Sequence, residues 1–198
     1  MIGDLPKTIS IDDVAYSIRT DFRDILRIVS AFNADELSSQ EKVLICLRQL
    51  YTSPEEIPEE KLAEAFDAAV RFIECANTAQ EEDRKKPVLV DWEKDEQMLF
   101  AAVNKTAGFE VRAVPYLHWW TFLGYFQSID SEDLWGQVLT IRQKKARHKP
   151  LEKWEQEFFN ANRDLCTVGK LKSTKDVRES SYRALEEFYN ELHEEEEE

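Results

Sequence analysis

The histidines His118, His148 and His193 are the side chains of this chain best suited to move protons near neutral pH. Only His118 keeps unusual company. It lies in the run Val114-Pro115-Tyr116-Leu117-His118-Trp119-Trp120-Thr121-Phe122-Leu123-Gly124-Tyr125-Phe126, which places six aromatic residues and a histidine in thirteen positions. Paired with a carboxylate such as Asp91 or Asp95, His118 would serve as a general base. Without such a partner it is a core residue among tryptophans, and both readings stand. No histidine has a neighbour at metal-ligand spacing. The five glycines are scattered, which leaves no phosphate-cradling loop and no nucleophile elbow. Cys46, Cys75 and Cys166 are odd in number and far apart, so they read as reduced core thiols of a cytosolic protein. Acidic pairs such as Asp91/Asp95 or Glu155/Glu157 carry little information in a chain with 40 Asp and Glu. They read as solvated helix faces.

One charge cluster stands out by its sign. Arg142, Lys144, Lys145, Arg147, Lys149 and Lys153 form a basic island around Pro150. Cations at a helix C-terminus complement its dipole, which is the ordinary reading. The other reading is a docking surface for an acidic partner, the glutamate tail of another copy included. The formal net charge of -14 argues against nucleic acid, because phosphate contacts need a basic field. Candidate partner-binding residues are therefore Arg142, Lys144, Lys145 and Arg147, joined by Leu185, Phe188 and Tyr189 of the C-terminal segment.

These residues need elements to hold them. Thr8-Ile9-Ser10-Ile11 and Val14-Ala15-Tyr16-Ser17-Ile18 alternate around Asp12-Asp13 and predict a β-hairpin. From Thr20 onward the period becomes helical. Phe22, Ile25, Leu26, Val29 and Phe32 mark a first helix capped by Thr20 or Asp21. Ser38 and Glu41 form a capping box for a second, with Val43, Leu44, Leu47, Leu50 and Tyr51 inside. Pro54 and Pro58 precede a third, carrying Leu62, Ala65, Phe66, Ala69, Val70, Ile73 and Ala76. The charged stretch 80–87 predicts an exposed loop. Asp91 is the expected cap of a helix bearing Trp92, Leu99, Ala102 and Val103 and ending near Gly108. The aromatic run predicts a central helix over 115–129 with Pro115 in its first turn. Ser131 is expected to open the next, burying Leu134, Trp135, Val138 and Ile141. Leu151, Trp154, Phe158, Ala161 and Leu165 mark another after Pro150.

A single core is expected over 5–166. A polar linker, 169–175, then leads to an amphipathic helix with Val177, Ala184, Leu185, Phe188, Tyr189 and Leu192, and to the glutamate run 194–198. The fold class is mainly α: a helical domain over 1–166 with a short N-terminal hairpin, and an appendage over 167–198. No apolar run approaches the roughly 20 residues of a membrane span. The N-terminus shows no basic-then-apolar leader pattern.

Four segments carry a resemblance: Thr20-Asp21-Phe22-Arg23, Asp91-Trp92-Glu93-Lys94-Asp95, Tyr116-Leu117-His118-Trp119-Trp120-Thr121-Phe122 and Ile141-Arg142-Gln143-Lys144. In order and rough spacing, over 5–166, they resemble the bacteriophage "gene product fifteen" proteins of long-tailed phages and prophages of Gram-positive bacteria. The resemblance implies a non-enzymatic tail assembly chaperone, without cofactor, catalytic residues or bound metal. Such a protein coats the tape measure protein, keeps that long helical polypeptide soluble and helps recruit the major tail tube protein. It would act in the cytoplasm of the bacterial host and be absent from the mature virion, with no membrane or nucleic-acid partner. The competing reading is a structural virion component, a head–tail connector or tail completion protein. Asp21, Arg23, Trp92, His118, Trp119, Trp120 and Arg142 are the motif positions, and they serve the fold or a partner. A homo-oligomer also stands open.

Overall fold

A computed structural model describes residues 3–75 and 88–168, together with Val177 and Ser180. The expected loop 80–87, the linker 169–175, Ala76, and Leu185, Phe188 and Tyr189 of the C-terminal segment lie outside the described residues. The fold is mainly α with one antiparallel hairpin. The chain groups into two compact units, Met1–Glu81 with Lys172–Glu198, and Glu82–Leu171. Where the sequence predicts one core, the buried residues thus divide between two units.

In the first unit, β1 (Thr8–Ile11) pairs with β2 (Val14–Ser17) around Asp12 and Asp13. Both aspartates have positive φ, 45° and 63°. Two left-handed central residues define the turn whose twist matches a hairpin, and Asp tolerates that conformation. Helix α1 (Phe22–Asn33) starts at Asp21, whose carboxylate accepts the Arg23 N–H and also pairs with the Arg23 guanidinium. Helix α2 (Ser39–Leu50) opens on the Ser38/Glu41 capping box as expected. The Arg19 guanidinium closes its other end, donating to the carbonyls of Arg48, Gln49 and Tyr51. Those are carbonyls a helix C-terminus leaves without intrahelical donors. Two short 3-10 turns then lead to α3 (Leu62–Ile73), which packs on β1 and α2. Ile25, Ile28, Cys46, Leu50, Phe66 and Val70 form the centre of this unit. Leu44, expected inside, is exposed. Helical steps of 100° place it away from the buried stripe of Val43, Cys46, Leu47 and Leu50. Val177 is buried and helical, and belongs to the same unit.

The second unit holds α4 (Glu96–Ala107), α5 (Trp119–Gln127), α6 (Leu134–Ala146), α7 (Lys153–Ala161) and the short α8 (Arg163–Cys166). Three expected starts move. Asp91 organises a turn instead of capping α4: its carboxylate accepts the Lys94 N–H, and its own N–H donates to Asp95. The helix then begins after Asp95, so Trp92 stands outside it. Helix α5 begins after His118 instead of at Pro115, because the His118 Nδ1 accepts the Trp120 N–H at 3.1 Å and caps it. Helix α6 begins after Asp133, not Ser131, and Leu134 is exposed at its first position. At Gly136 a Cβ would lie 2.3 Å from the Asp130 carbonyl oxygen and 2.7 Å from the Ser131 Cα. The backbone of 130–131 therefore folds directly over that glycine. Gly108, at φ 80°, ends α4 as expected. No helix among the described residues is long and apolar enough to cross a membrane.

Candidate functional site

The aromatic run does not make one all-round buried helix. Trp119 and Phe122 are buried, Trp120 is half-buried, and Tyr116 lies exposed ahead of the helix. Trp92, from the turn before α4, completes the cluster. Its ring lies 6.2 Å from Trp119, 6.2 Å from Phe122 and 5.2 Å from Phe126. Phe126 in turn meets Trp135 of α6, and Phe100 of α4 meets Phe122. These rings tie α4, α5 and α6 together. His118 is 2% exposed, with its Nδ1 engaged in the α5 cap.

Asp95, one of the carboxylates a His118 base would need, is committed elsewhere. The Arg142 guanidinium donates from Nη1 to Asp95 Oδ2 at 2.6 Å and from Nη2 to Oδ1 at 2.7 Å. Both side chains are 1% exposed. The remaining donors go to backbone: Nη1 to the Leu89 carbonyl at 2.8 Å, Nε and Nη2 to the Leu165 carbonyl. All five guanidinium N–H groups are thereby used. Arg142 pins the segment before α4, the cap of α4 and the short α8 onto α6. It therefore leaves the exposed basic island to which sequence assigned it. The long-range pairing could not be read from spacing, although both of its ends fall in the motif segments.

Lys144 is also drawn inward. Its ammonium meets the buried Glu155 carboxylate at 2.5 Å, with Glu152 at 3.8 Å. Burial pushes the Glu155 carboxyl up. The Lys144 ammonium and the backbone N–H of Glu152 outweigh it and hold the carboxyl below its ordinary value. The hydrogen bond to Glu155 raises Lys144 in turn. On α7, Glu155 is the buried residue while Trp154 is exposed, the reverse of the expected stripe. Glu155 sits at the third helical position, where it closes a capping box with Glu152.

Beside this polar knot lies a cleft of ≈ 300 Å³, lined by Val88, Leu89, Ala146, Phe159, Cys166 and Val168, with Arg142 and Lys145 at its wall. The Lys145 ammonium sits 4.1 Å from the centroid of the Phe159 ring, and the Arg163 guanidinium 5.8 Å from the same ring. Arg147 is exposed beyond the C-terminus of α6. His148 follows at φ 52°, and Lys149 donates its N–H back to the Lys144 carbonyl, so the chain turns sharply there. Among the described residues, no carboxylate pairs with Lys145, Arg147, Lys149, Lys153 or Arg163. The island is thus redistributed, with Arg142 and Lys144 spent on the fold and these five left facing solvent. Sequence analysis missed Arg163, which joins them only because α7 turns back beside α6. No group of His, Cys, Asp and Glu suited to a metal occurs among the described residues. The three cysteines are free thiols, with burial pushing Cys75 up to about 11 and raising Cys46 and Cys166 as well.

Fold and site define a mainly helical protein with an N-terminal hairpin, whose motif residues build cores, caps and one buried ion pair. The chain belongs to the bacteriophage Gp15 protein family, whose model matches residues 1–166, and it is a phage protein. No curated relative and no solved structure matches it.

Proposed function

We propose that this protein is a non-enzymatic tail assembly chaperone. It binds the tape measure protein, keeps it soluble and promotes assembly of the tail tube in the cytoplasm of the host, without remaining in the virion. Membership of the Gp15 family over 1–166 carries the reading. The surface chemistry supports it. An acidic excess of -14 suits a coat that must stay dispersed. Exposed apolar side chains, Leu5, Val14 and Leu44 in the first unit and Phe109, Tyr116, Leu134 and Trp154 in the second, suit a client with apolar helical faces. Many weak contacts along a long client add up through avidity. The non-enzymatic part is supported by His118, which serves as a helix cap, and by Asp95, which serves Arg142.

Co-expression tests the proposal. The tape measure protein is expected to be more soluble with this chain than alone, and the two are expected to co-purify. Equal solubility alone would remove the reading. Mass spectrometry of purified particles separates it from the head–tail connector or tail completion alternative, for which the chain would be present in the virion.

A further inference from the structure

We propose that the cationic cleft between α6, α7 and α8 is a docking site for the acidic C-terminal tail of a second copy of this chain. The cleft combines an apolar floor with an uncompensated cationic rim. Val88, Leu89, Ala146, Phe159 and Val168 supply the floor, and Lys145 and Arg163 flank the Phe159 ring. Lys145 and Arg163 are the cations at the cleft itself, and Arg147, Lys149 and Lys153 add exposed positive charge on the turn after α6 and the first residue of α7, in a protein of net charge -14. A patch of that sign attracts an acidic segment at close range, against the general repulsion between two acidic bodies. The C-terminal segment offers the complementary pattern in the same order. Leu185, Phe188, Tyr189 and Leu192 are followed, after His193, by the five glutamates of 194–198. The apolar residues match the floor and the glutamates match the rim.

Reach permits the contact. Val177 is buried at 1% exposure and belongs to the first unit, so the segment has a fixed root. The roughly twenty residues beyond it span about 30 Å if helical and more if extended. The choice of a second copy rests on the chaperone reading. Tail into cleft joins two different surfaces, and a contact of that kind propagates from copy to copy wherever its rotation does not close into a ring. An open chain of copies is the arrangement a coat on a long polypeptide requires.

Sedimentation equilibrium of the full chain without any client tests the proposal at low and high salt. Self-association is expected, weakening with salt and falling at least ~10-fold when residues 194–198 are deleted. The double change Lys145→Glu with Arg163→Glu is expected to weaken it equally, since both side chains are exposed and outside the Arg142 network. Converting all five tail glutamates to Lys should do the same. Mixing this tail-reversed chain with the cleft-reversed chain should restore association. A full chain that stays monomeric, or one whose association survives loss of the tail, overturns the proposal. So does a monomer whose sedimentation coefficient, read in a parallel velocity run, falls by more than the lost mass explains when the tail is removed, because the tail was then seated on its own chain. Client solubility is read separately. A full chain that stays monomeric yet solubilises the tape measure protein would sink the tail contact and leave the chaperone reading standing.

Discussion

At the scale of single residues, Arg142 carries the most consequence. Its five donors meet one carboxylate and two backbone carbonyls in a site from which water is excluded. Removing one partner of such a pair leaves the other charged and buried, which costs about 3–5 kcal/mol. Arg142→Ala is therefore expected to lower the unfolding free energy by that amount in denaturant titrations. Arg142→Lys should recover little, because an ammonium cannot reproduce the planar fork. Glu155 gives a pH-dependent counterpart. Its folded carboxyl lies below the ordinary value of 4.5, so the Lys144 pair contributes fully above that pH. The contribution is lost as pH falls through the lower folded value. The melting temperatures of the wild type and Glu155→Gln should differ near neutrality and converge in acid. A gap that stays constant with pH would show that ionisation of Glu155 is not its source. Sequence placed Arg142 and Lys144 in a surface island because it shows charge but not which charges are turned inward. Asp95 lies far away along the chain, and only the fold supplies that partner.

At the scale of elements, what was legible in sequence was local, and what was not depended on contacts between elements. The hairpin turn, the Ser38/Glu41 box and the Gly108 stop are each written within a few residues, and each is found where expected. The starts of α4, α5 and α6 are not. In each case a polar side chain or a folded-over backbone outcompetes the apolar period. At α5 the competitor is His118, an unusual cap that replaces the Pro115 start. His118→Ala should cost about 0.5–2 kcal/mol through loss of the cap, plus lost packing. His118→Asn, which restores an acceptor of cap type, should recover part of it. Equal losses for the two variants would mean that ring packing, and not the cap, sets the cost. At α6, Gly136→Ala would drive a methyl group into the Asp130 and Ser131 backbone. Backbone cannot swing aside as a side chain can, so a loss of about 1–3 kcal/mol is expected from overpacking. Thermal melts of the two α5 variants and of Gly136→Ala would place these costs side by side.

At the scale of the whole molecule, the C-terminal segment decides how stability and association are divided. Read from sequence, the stretch after the linker folds back on its own domain or serves as an arm for a neighbouring copy or a client, and as an arm its removal from Ser173 onward would leave the rest folded. The burial of Val177 within the first unit changes that expectation for the root of the segment. Losing a buried valine returns apolar surface to water, worth about 1.5–3 kcal/mol. In a domain of typical stability, roughly 5–15 kcal/mol, that is a visible fraction. Deletion from Ser173 should therefore lower the melting temperature and speed amide exchange in α1 to α3. Deletion of 194–198 alone removes five glutamates that lie outside the described residues, and it should alter stability by less than about 0.5 kcal/mol. The two truncations together separate anchoring from docking. If the short deletion destabilises the fold as much as the long one, the tail belongs to the body of its own chain. If the long deletion leaves stability untouched, Val177 is a passive resident of the first unit and the root is not an anchor.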